Sequence, residues 1–194
     1  MNFKDFIIEA KKRGYAGNGK YRKLLDGRKE FVYQNDEFKY IDRYIGFSNI
    51  IGQELVFSDG KIIWGMNYHG SLCPFSLHPL NPDVETTEED VYEFLKECLK
   101  MIPEEKPFRG PEEFENENLI YVNKIDGFCD ETNFNGEERI FLKSGRKDPI
   151  PVYRLLYNGG YVDLENKENL PQQKETASKV RIKFEITKKW ISQV

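Results

Sequence analysis

The chain has 194 residues, of which 39% are hydrophobic and 14% aromatic, so it can bury one sizeable core. The aromatic content disfavours disorder, and the length favours one domain over two. Its 29 basic and 33 acidic residues give a net charge of −4, which argues against nucleic-acid binding by this chain itself. No secretory or membrane-spanning segment is visible and the three cysteines are widely spaced, so we expect a cytoplasmic protein without disulfides, metal ions or cofactors.

The first predicted element is an amphipathic helix at residues 2–13, where apolar residues recur at helical spacing after Asn2 and before Gly14. Four strands rich in Phe, Tyr, Val and Ile follow it, at Glu30–Asn35, Phe38–Ile45, Ile50–Phe57 and Lys61–His69. The last two strands flank Asp59-Gly60, a dipeptide typical of two-residue hairpin turns.

A loop with three prolines is predicted at residues 70–86, and the best helical pattern of the chain then spans Thr87–Ile102, before Pro103. A second β region comes next, with strands predicted at Leu119–Ile125, Phe128–Asn133, Glu138–Lys143 and Val152–Tyr157. Hairpin-type dipeptides separate the first three of these strands, at Asp126-Gly127 and Asn135-Gly136.

The C-terminal part of the sequence changes in character. Residues 165–179 are polar and predict an exposed loop, and Val180–Ile186 alternates as a half-exposed final strand. The order of elements predicts an α+β fold with a mostly antiparallel sheet, an N-terminal helix and one central helix. Residues 1–162 form a single domain in this interpretation, and residues 163–194 are an extension whose strand packs on it. No internal repeat is visible, although two β regions around a central helix are compatible with a duplication.

The central hairpin predicts a small-molecule site. If Ser58 faces Lys61, one face carries the core residues Ile51, Gln53, Leu55, Phe57, Ile62, Trp64, Met66 and Tyr68. The other face carries Gly52, Glu54, Gly65, Asn67 and His69. Glycines inside strands often mark the close approach of a ligand, and convergent polar groups around them are typical of a binding site. The alternative interpretation is that the glycines let the Thr87–Ile102 helix pack closely.

The preceding strand adds Tyr40, Asp42 and Tyr44 at alternate positions. If they share the glycine-containing face, Asp42 and Glu54 form a carboxylate pair beside His69, which is suited to general acid–base catalysis. The alternative is that the carboxylates form salt bridges with arginines such as Arg109.

Short motifs along the chain support an assignment to a family. They are Phe6–Lys12 followed by Tyr15-Ala16-Gly17, Tyr40–Tyr44, Gly52-Gln53-Glu54, Trp64–Gly70, Pro107–Pro111, Phe134–Glu138 and Tyr157–Gly160. In this order they resemble a bacterial family known as domain of unknown function 5680, over about residues 3 to 162, with residues 163–194 extending past its usual end. The family has no established activity. Its members occur alone or behind a helix-turn-helix segment, which this sequence lacks, and the resemblance implies a sensor that binds a small effector.

The motif residues that coincide with the residue-based hypothesis are Tyr15, Asp42, Glu54, Asn67, Tyr68 and Arg109. We therefore expect a small polar ligand to bind through Tyr15, Tyr40, Asp42, Glu54, Asn67 and Arg109. Asp42 would pair with a cationic or hydroxyl group, and Arg109 with a carboxylate or phosphate. Two alternatives stay open: a hydrolase or transferase that uses Asp42, Glu54 and His69, and an interaction module that pairs through Val180–Ile186. The oligomeric state is left open.

Overall fold

Two helices and nine strands make up the residues that the computed structural model describes, which are 1–73, 86–143 and 148–162, with the backbone alone for 127–130. The helices are α1 (Phe3–Arg13) and α2 (Glu88–Lys100). The strands are β1 (Arg22–Lys23), β2 (Lys29–Gln34), β3 (Phe38–Gly46), β4 (Asn49–Ser58), β5 (Lys61–Leu72), β6 (Glu113–Glu115), β7 (Leu119–Asp130), β8 (Asn133–Leu142) and β9 (Ile150–Tyr161). The predicted extension at 163–194, with its final strand, lies outside the described residues.

Both predicted helices are confirmed, and both begin at side-chain caps. The Asn2 side chain accepts a hydrogen bond from the Asp5 N–H at 2.9 Å, and Thr87 and Asp90 form a reciprocal capping box. These bonds satisfy backbone donors that a helix leaves unpaired in its first turn. The predicted apolar stripes are buried, as the fully covered Phe6 of α1 illustrates.

All nine strands form one antiparallel sheet in the order β1-β2-β3-β4-β5-β9-β8-β7-β6. The α+β prediction is therefore confirmed. Strand numbers rise from each edge to the central β5–β9 pair, with five strands in one half and four in the other, and each half consists of a helix followed by strands in sequence. Both helices contribute to the core on one face of the sheet, where Trp64 and Leu155 are fully buried. The opposite face is more open, since Ile51 is 59% exposed.

The predicted pairing of the β4–β5 hairpin is wrong by one position over most of its length. A β-bulge lies between Val56 and Phe57, so Val56 pairs with Trp64 while Phe57 still pairs with Ile62. The residue that the bulge adds, Ile63, reverses the faces of the two strands relative to each other. Gly52, Glu54 and Val56 consequently share the buried face with Trp64, Met66 and Tyr68, and the expected core residues Ile51, Gln53 and Leu55 point to the other face.

The second β region has three long strands where four were predicted. Strand β7 runs through Asp126-Gly127 and β8 runs through Asn135-Gly136, so the predicted hairpins at these dipeptides are wrong. Asp126 pairs with Asn135 within the ladder. Gly136 faces Tyr157, whose phenol ring fills the space that a Cβ atom would need. This glycine therefore accommodates an aromatic ring and does not form a turn.

Candidate ligand-binding site

A cavity of about 460 Å³ lies between α2 and the buried face of strands β3–β5. The sheet contributes Tyr40, Asp42, Tyr44, Ile50, Glu54 and Tyr68 to its lining, and α2 contributes Tyr92, Leu95, Lys96 and Leu99. Further lining side chains come from α1, the loop after it and the segment after α2, and these are Lys11, Tyr15, Ala16, Phe108 and Arg109. The cavity therefore has apolar and aromatic walls around a small set of charged groups, a composition typical of small-molecule sites.

The structure brings five of the six predicted ligand-binding residues to this cavity: Tyr15, Tyr40, Asp42, Glu54 and Arg109. The sixth, Asn67, is exposed on the opposite face of the sheet, where its side-chain oxygen accepts a hydrogen bond from Gln53 at 2.9 Å. His69 is exposed on that face as well. The shift in hairpin pairing explains both positions. The predicted catalytic set of Asp42, Glu54 and His69 is therefore not assembled, although its two carboxylates are cross-strand neighbours.

Asp42 lies on the floor of the cavity and is only 7% exposed. Its two oxygens accept hydrogen bonds from the hydroxyls of Tyr68 at 2.7 Å and Tyr21 at 3.0 Å. Both donors are neutral, and Asp42 forms no ion pair with any residue in the described ranges. Burial and the nearby carboxylate of Glu54 raise the pKa of Asp42 to about 6, although the two tyrosine hydrogen bonds oppose this change.

Glu54 has the cationic partner that Asp42 lacks. The Lys11 ammonium group forms an ion pair with the Glu54 carboxylate and also donates to the Phe108 carbonyl oxygen at 2.9 Å. Burial lowers the pKa of Lys11, and the charge of Glu54 opposes this effect. When both carboxylates are ionised, Asp42 and Glu54 therefore share one positive charge, and the floor of the cavity carries a net negative charge.

Gly52 provides the space for this arrangement. It pairs with Tyr68 across β4 and β5, and a Cβ atom on Gly52 would overlap the Tyr68 phenol ring. The ring lies over the glycine so that its hydroxyl reaches Asp42. The glycine therefore stands beside the polar group of the site, as the sequence suggested, but the group that approaches it closely is a tyrosine of the protein itself.

Arg109 reaches the cavity with its charge already balanced. Its Nε and Nη2 atoms donate to the two oxygens of Glu138 at 3.0 and 2.5 Å. Glu138 is fully buried and also accepts hydrogen bonds from Tyr121 at 2.7 Å and Tyr153 at 3.2 Å. The predicted alternative, in which Asp42 or Glu54 pairs with an arginine such as Arg109, is therefore wrong in its partners: Arg109 pairs with Glu138, and Glu54 pairs with Lys11. The pairing with Glu138 does not favour Arg109 as the receptor for a ligand carboxylate or phosphate.

The rings of Tyr15, Tyr44 and Tyr92 form an aromatic wall of the cavity. The Lys96 ammonium group stands 5.6 Å from the centre of the Tyr15 ring, and that of Lys29 stands 5.4 Å from the centre of the Tyr44 ring. Tyr92 fixes this wall to the β3–β4 connection, since its hydroxyl donates to the Phe47 carbonyl oxygen at 2.6 Å.

Lys11 and Tyr21, which contact the two carboxylates, were not among the predicted site residues, and neither were lining residues such as Tyr92. Lys11 follows Ile7 by four positions and therefore lies beside the buried stripe of α1, which is a signal that the sequence contains. Tyr21 lies between α1 and β1, and no periodic pattern connects it to Asp42.

Comparisons with known proteins identify one family. The model of a family described as "Domain of unknown function (DUF5680)" matches residues 42–162, a range that includes Asp42, Glu54 and Arg109 but not Lys11. No curated protein and no solved structure matches the chain. In the ranges that the structure describes, neither helix is long and apolar enough to cross a bilayer, and no three His, Cys, Asp or Glu side chains converge as metal ligands. The cytoplasmic location and bacterial origin stay predictions.

Proposed function

This chain belongs to the DUF5680 family, whose description assigns no activity, and we propose from the geometry of its cavity that it binds a small organic molecule there. The observation that carries the proposal is the position of Asp42, a buried carboxylate at the floor of an open cavity with only neutral hydrogen-bond donors. A buried carboxylate without a cationic partner lowers the stability of the folded protein, and a ligand that pairs with it offsets this loss.

The size and lining of the cavity support the same proposal. Its volume of about 460 Å³ falls in the range of small-molecule sites, which is roughly 300–1,000 Å³. The rings of Tyr15, Tyr44 and Tyr92 offer flat apolar surfaces for the body of a ligand. Asp42 supplies a polar anchor without a cationic partner in the described part of the chain, and this anchor orients the ligand by hydrogen bonding.

A binding screen with two matched variants tests the proposal. Small aromatic amines, alcohols and carboxylates are screened by ligand-observed NMR, and hits are titrated to saturation. Ile50 lines the cavity, whereas its neighbour Ile51 is exposed on the opposite face of β4, so tryptophan at each position adds the same volume to different surfaces. We expect Ile50→Trp to abolish saturable binding and Ile51→Trp to preserve it. Absence of any saturable hit on the wild type, or equal binding by both variants, contradicts the proposal.

One observation favours a second candidate function, acid–base catalysis by Asp42. Its pKa of about 6 and the adjacent Glu54 resemble the carboxylate pairs that exchange protons near neutral pH. His69 takes no part, because it points to the other face of the sheet. Mass spectrometry of each bound hit after incubation tests this candidate. Conversion by the wild type but not by Asp42→Asn supports catalysis, and recovery of unchanged hits contradicts it.

A further inference from the structure

The two halves of the sheet contain equivalent polar clusters. The Asp42 cluster consists of Lys11, Asp42, Glu54 and Tyr68, and the Asn123 cluster consists of Arg109, Asn123, Glu138 and Tyr157. Asp42 pairs with Glu54 across β3 and β4, as Asn123 pairs with Glu138 across β7 and β8. In each cluster a tyrosine lies over a glycine and donates to the first residue of the pair: Tyr68 to Asp42 at 2.7 Å, and Tyr157 to Asn123 at 2.8 Å.

The clusters differ in charge at one position. In the Asn123 cluster, the carboxylate of Glu138 is matched by the guanidinium of Arg109, and Asn123 is neutral. In the Asp42 cluster, the ammonium of Lys11 matches Glu54, and the residue equivalent to Asn123 is a second carboxylate. The chain therefore contains a balanced version of the same arrangement, and relative to it the Asp42 cluster lacks one positive charge.

The clusters also differ in what covers them. The side-chain amide of Asn123 donates to the Gly110 carbonyl oxygen at 3.0 Å, and the Gly110 N–H donates to the Tyr121 hydroxyl at 3.1 Å. The segment that contains Gly110 therefore covers Asn123, although Arg109 of the same cluster still reaches the cavity. Asp42 instead lines the cavity. The cluster that lacks a positive charge is thus the one with space for a ligand.

We propose that the ligand of this cavity is a small organic cation whose protonated nitrogen pairs with Asp42 and whose apolar body lies against the tyrosine wall. This inference rests on the proposed function. A protonated nitrogen supplies the charge that the Asp42 cluster lacks and donates hydrogen bonds to a carboxylate. Aromatic faces also attract cations, and the ammonium groups of Lys96 and Lys29 already stand over Tyr15 and Tyr44. A ligand anion is disfavoured beside Asp42, because the charges of Lys11 and Arg109 are already matched by Glu54 and Glu138.

Three probes of similar shape and different charge test the inference: benzylamine, benzyl alcohol and benzoate. Each is titrated into the full chain at about pH 7.5, where an aspartate with a pKa near 6 is ionised. We expect benzylamine to bind at least about tenfold more tightly than the other two, since close opposite charges in a partly buried site contribute at least that much.

Two substitutions locate the effect. Asp42→Asn installs the side chain that the Asn123 cluster already holds, and it should weaken benzylamine about tenfold or more while changing benzyl alcohol little. Asp59→Asn removes the same charge from the exposed β4–β5 turn and should bind all three probes like the wild type.

The outcomes separate this inference from the proposed function. If none of the probes binds saturably in the millimolar range, the inference is overturned, and the wider screen decides the proposed function. If benzyl alcohol or benzoate binds as tightly as benzylamine, or if Asp42→Asn keeps the preference for benzylamine, only the inference is overturned. If Asp42→Asn does not fold, the ranking of the three probes on the wild type decides the inference.

Discussion

Replacing Asp42 by asparagine should change how the stability of the protein depends on pH. In the folded state, burial and the carboxylate of Glu54 raise the pKa of Asp42 from an ordinary value of 3.8 to about 6. The folded protein therefore binds a proton at Asp42 more tightly than the unfolded chain does. Between these two pKa values the wild type must lose stability as the pH rises, because the native state holds more protons than the unfolded state. Asparagine has no proton to lose and removes this dependence.

The magnitude follows from the two pKa values. Each pKa unit corresponds to about 1.4 kcal/mol, so a change from 3.8 to about 6 destabilises the ionised wild type by about 3 kcal/mol. Near pH 4 most of this penalty is absent, because Asp42 is protonated in the folded state. The hydrogen bonds need not be lost in the variant, since Tyr157 donates to Asn123 in the equivalent cluster. We therefore expect Asp42→Asn to match the wild type near pH 4 and to exceed its stability by about 3 kcal/mol at neutral pH.

Urea denaturation at several pH values measures this difference. The chain has two tryptophans, and the contribution of Trp64 to the fluorescence reports the loss of the core, since Trp64 is fully buried against Phe134. A difference between variant and wild type that does not change with pH refutes the reasoning. A difference that falls as the pH rises also refutes it, since it means that the fold stabilises the ionised form of Asp42.

The exposed Asp26 provides a control, because its substitution should change the pH dependence of stability in the opposite direction. Hydrogen bonds from Arg28 lower the pKa of Asp26, so Asp26 contributes stability above its unfolded pKa, and this contribution is lost as the pH falls. Asp26→Asn should therefore become less stable relative to the wild type as the pH rises, in contrast to Asp42→Asn. If the stability difference from the wild type changed with pH in the same direction for both variants, the cause would be the net charge and not the position of the aspartate.

Five further substitutions at four positions test the contacts of the site and of the fold around it, each by urea denaturation at neutral pH. Gly52→Ala should cost about 1–3 kcal/mol, because its methyl group overlaps a tyrosine ring, whereas Gly65→Ala should cost less than about 1 kcal/mol, since the added atom lies 3.1 Å from the end of a flexible leucine. Arg109→Met should cost about 3–5 kcal/mol by leaving Glu138 buried without a cation. Thr87→Ala should cost about 1 kcal/mol through loss of the capping box, and Thr87→Ser should restore most of it. Equal stabilities of Gly52→Ala and Gly65→Ala would contradict the overlap at Gly52, and equal stabilities of Thr87→Ala and Thr87→Ser would contradict the capping role of Thr87. A small loss of stability in Arg109→Met would contradict the importance of its ion pair with Glu138.

The helices were predictable because their signals are local. The cap at Asn2 and the capping box at Thr87 involve residues within one turn, and the apolar spacing lies in the same segment. The sheet order was not predictable, since antiparallel pairing of β5 with β9 joins residues that are far apart in the sequence. Propensity and periodicity carry no information about such distant partners.

The faces of the β4–β5 hairpin were mispredicted because a bulge has no clear mark in the sequence. The run Ile62-Ile63-Trp64 is apolar throughout, so it fits the pairing with or without one extra residue. The hairpin turn predicted at Asn135-Gly136 was wrong for a related reason. A glycine that admits a neighbouring ring, such as Gly136, is the same residue that hairpin turns require.

Part of the candidate site could be predicted from the sequence, because the alternation of side chains along β3 holds in the structure. Alternation placed Tyr40, Asp42 and Tyr44 on one face, and the cross-strand pairing of Asp42 with Glu54 then brings the carboxylates together at the cavity. The expected third partner was wrong, because the bulge turns Asn67 and His69 outward. The cation that does pair with Glu54 comes from α1, and its position depends on helix packing that strand patterns do not describe.

The penalty at Asp42 sets a scale for the affinity that pairing with a cation can give. Ionised Asp42 destabilises the free protein by about 3 kcal/mol at neutral pH, and recovery of that amount corresponds to a factor of about 100 in Kd. Contacts with the aromatic wall add to this affinity. In Asp42→Asn the penalty is absent, and a cation has nothing to recover. The stability gap between wild type and variant should therefore shrink as a cation is added, and once both proteins are saturated the decrease equals the difference in their binding free energies.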